Sequence, residues 1–198
     1  MKTSKYFLLT AAFILLAGLG TAMAQKSSIR MPPEPIMPVI HINAIEISDG
    51  VVGYDQTKSE TVYGYSFLGR TTGSFPGSFT LSMNCSPAIP VPGDSSLMTG
   101  GSWTLPVYTS SLKEGATYAG SLYGTISEGK MIWDKAGVLT GANNADVFFV
   151  LNVEGGTQTW EGAKGYATFA GTLFVDEKTK KTMLTGDLVF TMFTGQQD

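Results

Sequence analysis

The chain contains one cysteine and one histidine. With Cys85 alone, no internal disulfide can staple the fold, so stability has to come from a buried core. That leaves Cys85 two roles, a small buried residue or a bridge between two chains. With His41 alone, any Ser-His-Asp relay has to run through that one residue. A zinc site takes three or four His, Cys or carboxylate ligands, so no metal is expected, and no cofactor. The nucleophile elbow Gly-x-Ser-x-Gly is also missing. Gly64-Tyr65-Ser66-Phe67-Leu68 fails at its last position. EF-hand and phosphate-cradling glycine loops are absent. Asn84-Cys85-Ser86 matches a glycosylation triplet in form only.

Charge is sparse as well. Charged residues make up 15% of the chain and the formal net charge is −3. The only basic cluster, Lys178, Lys180 and Lys181, reads as a solvated turn. DNA binding depends on neutralising phosphates, so no nucleic-acid partner is expected.

One apolar run stands out, the 13 residues Phe7–Leu19. It is shorter than the roughly 20 residues a membrane helix needs. Lys2 and Lys5 precede it and Ala22-Met23-Ala24 follows. This is the grammar of a secretory signal peptide, residues 1–24, cleaved after Ala24. No cysteine lies just after the run to carry a lipid. The sequence therefore predicts a secreted or periplasmic protein with no membrane span after cleavage. Residues 25–38, with Pro32, Pro33, Pro35 and Pro38, read as a proline-rich linker. Residues 39–198 read as one domain.

Within that domain helical periodicity is almost absent and period-two alternation is common. The clearest strand is Ser78–Cys85, with Phe79, Leu81, Met83 and Cys85 on one face and Ser78, Thr80, Ser82 and Asn84 on the other. Further strands are predicted over 39–48, with a bulge near Asn43-Ala44, and over 61–68, 102–108 and 117–126. Glu128-Gly129 reads as a tight hairpin turn into a strand at 130–134. Asp146–Glu154 is apolar on both faces and is expected to be covered on both. Strands over 166–175 and 183–194 close the chain, and 86–101 reads as a loop. Eight or nine short strands, many glycines and no helices favour an all-β domain. The expected form is a single antiparallel closed β-barrel of about eight strands, because closure removes exposed edges.

Candidate site residues are few. Glu46 lies between Ile45 and Ile47. Pointing inward, its pKa would rise and it could transfer protons; pointing outward, it is the polar half of an alternating strand. Phe79, Met83, Trp103 and Tyr123 are the candidate lining of an apolar cavity, unless the aromatic residues simply fill the core. His41 reads as an ordinary strand histidine.

The segment Glu154-Gly155-Gly156-Thr157-Gln158-Thr159-Trp160-Glu161-Gly162-Ala163-Lys164-Gly165-Tyr166-Ala167-Thr168-Phe169 resembles the late segment of allene oxide cyclase-like barrels, relatives of the dirigent proteins. In those barrels a Gly-Gly pair, an aromatic residue, an acidic residue and Gly-Ala-x-Gly precede a strand. Gly100–Leu105, Gly120–Ile126, Gly129–Trp133 and Thr185–Phe190 resemble further segments, so that the likeness spans 61–193. The motif itself has structural duties, with Gly162 and Gly165 in a tight turn and Ala163 beneath Trp160. The resemblance implies an eight-stranded calycin-like barrel, often trimeric, around an apolar oxygenated ligand; a homo-oligomer, trimer or dimer, is the partner expected of this chain. It also implies cyclase or isomerase chemistry as one alternative. Glu46-Ile47-Ser48 stands where the plant enzymes carry Glu-x-Asn, and Cys85 is displaced from their cysteine. Three functions stay open: a barrel that binds or shields a small hydrophobic molecule or serves structurally in the envelope, a cyclase or isomerase, and an oligomeric partner-binding module.

Overall fold

The computed structural model describes residues 34–86, 95–109, 115–134, 144–176 and 178–195. The predicted signal peptide and most of the linker lie outside them. Eight strands follow one another: β1 (Val39–Asp55), β2 (Glu60–Gly73), β3 (Gly77–Ser86), β4 (Ser95–Tyr108), β5 (Tyr118–Trp133), β6 (Ala145–Gly156), β7 (Lys164–Val175) and β8 (Thr182–Phe193). Each pairs antiparallel with the next, and β8 pairs with β1 to close the barrel. Pairing starts before β1, because Ile36 exchanges both backbone hydrogen bonds with Met192, at 2.9 and 3.1 Å. The final residues of the predicted linker are thus part of the ladder.

Alternation decides what fills the barrel. On β3, Phe79, Leu81, Met83 and Cys85 turn inward, as their spacing predicts, and all are at most 1% exposed. The other strands contribute Ile40, Ile42, Leu105, Leu122, Leu151, Leu188 and Phe190 to the same lumen, all at 0%. A side chain bordering a void large enough for water would retain some accessible surface. The lumen is therefore packed solid at these levels, one of the two states that an eight-stranded barrel can adopt. Aromatic rings stopper one end. Phe75 meets Trp160 with ring centroids 4.7 Å apart, Phe75 meets Phe190 at 5.8 Å, and Phe190 meets Trp103 at 6.0 Å.

Several local expectations change. Glu128-Gly129 is no hairpin turn, because β5 runs unbroken from Tyr118 to Trp133 and only bulges there, with Ile126 facing Leu151 and Glu128 facing Val150. A bulge and a turn both reset the alternation, which is why the sequence reads alike for either. The bulge expected near Asn43 lies later. β1 pairs regularly with β2 through Glu46, then bulges at Ile47 and again at Val52. β4 begins at Ser95, inside the predicted loop. The two-sided cover expected of β6 is absent among the described residues, since Phe148 on its outer face is 43% exposed. The glycine motif makes a 3-10 turn at Gln158–Trp160, then Gly162 at φ +73° and Gly165 at φ +151° lead into β7. A side chain is strained in the conformation of Gly162. Ala163 is fully buried and its N–H donates to the Trp160 carbonyl at 3.0 Å.

Candidate functional site

Two places on the barrel carry candidate chemistry. The first is the rim opposite the aromatic stopper, where β1 leaves β8. Glu46 keeps the inward phase of Ile42 and Ala44 and faces Phe67 of β2. It is half-buried. Burial pushes its carboxyl above the ordinary glutamate value, a hydrogen bond with the Thr182 side chain pulls it back, and the nearby Asp49 pushes it up again. Of the two facings open in the sequence, the inward one is adopted. Because Ile47 is the bulged residue, Ser48 pairs with Ser66 and takes the outward phase. The bulge therefore parts Glu46 and Ser48, which a regular strand would place on one face.

Tyr63, Tyr65 and Phe67 descend from this rim into the lumen along one face of β2. Their centroids are 5.2 Å apart for Tyr63–Tyr65 and 6.4 Å for Tyr65–Phe67. The Tyr63 hydroxyl donates to Asp49 Oδ2 at 2.5 Å, and that bond raises its pKa. Burial raises Tyr65 further. Cys85 is a free thiol buried beneath the rim, and burial pushes it up to about 12. At neutral pH such a thiol is protonated and a poor nucleophile. Among the described residues the rim thus holds one carboxyl with enhanced proton affinity beside phenols, and no activated nucleophile.

The predicted lining residues are not gathered around a void. Phe79 and Met83 are fully buried core residues. Trp103 is buried opposite Gly124, and its indole N–H donates to the Asn152 carbonyl at 3.1 Å. A Cβ at Gly124 would stand 1.8 Å from that same oxygen, so glycine is what lets the Trp103–Asn152 contact form. Tyr123 is 42% exposed and faces outward, because Leu122 and Gly124 take the inward phase.

The second place is the outer wall. A groove of about 730 Å³ runs across β4–β8. Its lining includes Leu97, Lys130, Phe148, Val150, Ala170 and Val189, with Glu128, Thr168 and Asp187 among the polar residues. The register explains the arrangement. Leu97 faces Lys130, Lys130 faces Phe148, Phe148 faces Ala170, and Ala170 faces Asp187. Large side chains therefore wall a floor made by a small one. Sequence reasoning singled out the apolar outer face of β6 but did not identify it as a groove, because the register with β5 and β7 is not visible in one strand.

His41 touches the groove only through Asp187, one of its lining residues. Its Nδ1 lies 2.8 Å from Asp187 Oδ1, and its Nε2 lies 3.2 Å from Thr185 Oγ1. This is the order of a hydroxyl–imidazole–carboxylate relay. The Thr185 hydroxyl also reaches the Ile42 carbonyl at 3.2 Å. β1 and β8 each have a neighbour on both sides, so their backbone N–H groups are committed to ladders and supply no oxyanion hole. The trio reads as cross-strand pairing on the barrel surface. Among the described residues no group of three or more His, Cys, Asp or Glu is placed to hold a metal ion.

No family model matches the chain, and no curated protein matches it. Among solved structures, the chain is similar to a pterocarpan synthase dirigent protein. The identity is 11%, the TM-score 0.26, and the match covers 87% of this chain and 99% of that one. So loose a superposition carries no argument about function, and the barrel rests on its own closed ladder of strands.

Proposed function

We propose that the protein is exported and binds a small hydrophobic molecule on the outer wall of its barrel. One observation carries this reading: the lumen is packed solid, whereas the outer groove offers about 730 Å³. Small-molecule sites span about 300–1,000 Å³ and are mostly apolar with a few polar groups, which matches Phe148, Val150, Ala170 and Val189 flanked by Lys130, Glu128 and Asp187. Export rests on the N-terminal grammar of Lys2, Lys5, the Phe7–Leu19 run and Ala22–Ala24. The barrel is apolar within and rich in serine and threonine without, the reverse of membrane-spanning barrels, which supports an aqueous setting.

Titration with an apolar fluorescent probe tests the reading. Phe148→Ala is expected to weaken binding about tenfold, given the 1.5–3 kcal/mol from burying such a side chain. Ser78→Ala, on the far wall, is expected to leave affinity unchanged. A wild-type protein that ignores the probe, or a Phe148→Ala variant that binds it equally well, would sink the proposal.

A second reading is favoured by Glu46 alone. A half-buried carboxyl of raised pKa at the barrel rim suits proton transfer in a cyclase or isomerase acting on an apolar oxygenated substrate. For such an enzyme Glu46→Gln abolishes most turnover, and an unchanged rate removes Glu46 from the mechanism.

A further inference from the structure

The β1–β2 hairpin reaches beyond the barrel. β1 pairs with β8 only as far as Ile45–Met183, and β3 joins β2 only from Tyr63–Cys85. Among the described residues, from Ile47 to Asp55 and from Glu60 to Val62 the two strands therefore have only each other as ladder partners, and the Ser86 hydroxyl, donating to the Glu60 carboxylate, ties the arm to β3. A free two-stranded ribbon is marginally stable in water. This one also exposes much of its apolar surface, with Ile47 at 61%, Val51 at 67%, Val52 at 58% and Tyr54 at 59%. Among the described residues only Ile36, Met37 and Val39, at the opposite end of β1, form a comparable exposed run, and two of those three are less exposed. Exposed apolar surface rimmed by polar residues marks an interaction site.

Charge selects the partner. The arm carries Asp49, Asp55 and Glu60 against Lys58 alone, with Glu46 at its base. The one lysine cluster of the chain, Lys178, Lys180 and Lys181, lies in the exposed turn between β7 and β8, at the same end of the barrel. Asp176 in that turn points its carboxylate at the backbone N–H groups of Lys178 and Thr179, at 2.9 and 2.8 Å. No ion pair joins the lysines to the arm within one molecule among the described residues. An acidic apolar arm and a lysine turn at one rim complement each other between two molecules, and a two-fold contact uses both twice.

We propose that the β1–β2 arm is the surface through which two copies of this chain associate. The arm of each copy lies on the rim of the other, and its carboxylates face the other's lysine turn.

Sedimentation of the purified full chain, repeated across ionic strengths, tests this. A dimer at low salt that weakens as salt rises is expected, because exposed charges are screened. Tyr54→Lys and Lys178→Glu are each expected to weaken the dimer about tenfold or more, by placing like charges together, and the double variant to recover it. Melting temperatures confirm that each variant is folded. A wild-type monomer at every salt concentration overturns the proposal, as does a dimer indifferent to both single changes. A double variant no better than either single overturns the pairing of arm with turn.

Discussion

Thr182 of β8 hydrogen-bonds the carboxyl of Glu46 just beyond Ile45–Met183, the last pair that joins β8 to β1. The bond offsets only part of the burial, so the carboxyl of Glu46 stays above its ordinary value. A raised folded pKa means that the folded state holds this proton more tightly than the unfolded chain does. The associated stability is therefore present at low pH and lost as pH rises through the folded pKa. Glu46→Gln removes the charged form. The variant is expected to melt higher than wild type at pH 7, with the difference vanishing below the ordinary glutamate range. Thermal melts across pH check both the sign and the window.

Two tryptophans make a matched pair. Trp103 donates its N–H to Asn152, whereas the buried N–H of Trp160 has no acceptor among the described residues. Trp103→Phe loses a hydrogen bond of about 1 kcal/mol and leaves a cavity, whereas Trp160→Phe removes an unsatisfied donor. Denaturant unfolding is expected to show Trp103→Phe destabilised by about 2 kcal/mol or more and Trp160→Phe by clearly less. Equal losses would mean that ring volume alone governs both sites.

Cys85 offers a chemical probe of the packed lumen. A thiol that is 1% exposed with its pKa pushed up to about 12 is expected to resist iodoacetamide at pH 8 in the folded protein. It should react promptly once the chain is unfolded in guanidinium. Mass spectrometry reads the added group, and fast labelling of the native protein would show that the rim opens.

The tip of the arm depends on Asp55. Its carboxylate accepts the Thr57 hydroxyl at 2.6 Å and the Thr57 N–H at 2.9 Å, and these bonds hold it below the ordinary aspartate value. Order at the tip is then present above the unfolded pKa and lost as pH falls through the depressed one. Hydrogen exchange at Thr57 and Lys58 is expected to speed up in Asp55→Ala at neutral pH, with the barrel amides unchanged.

Much of this architecture is legible in the residues. Ser78–Cys85 alternates without interruption, and β3 pairs without irregularity along β2. Closure follows from many short strands without helices to cover their edges. The places where reading fails share one cause. At Ile47, Val52 and Ser127 an extra residue bulges out and shifts the phase, so facing beyond it depends on partners remote in sequence. Tyr123 shows the same limit, since only Leu122 and Gly124 opposite their partners reveal which side it takes. The groove was illegible for a related reason. It is made by side chains from five strands, and their alignment is set by register rather than by any local pattern.

Every ladder but one joins strands that follow each other along the chain, and the exception is the seam between β8 and β1. That seam is short, reaching only from Val39 to Ile45, and beside it Ile36 bonds to Met192. The two ends of the barrel therefore run side by side. Circular permutation exploits this: a linker across the seam turns its remote pairing into one more hairpin, and reopening the chain at an exposed turn leaves all eight ladders in place. Every permutant of this kind moves the one remote ladder to the new opening, so where the chain is cut, rather than what it contains, decides which strands meet last as the barrel forms.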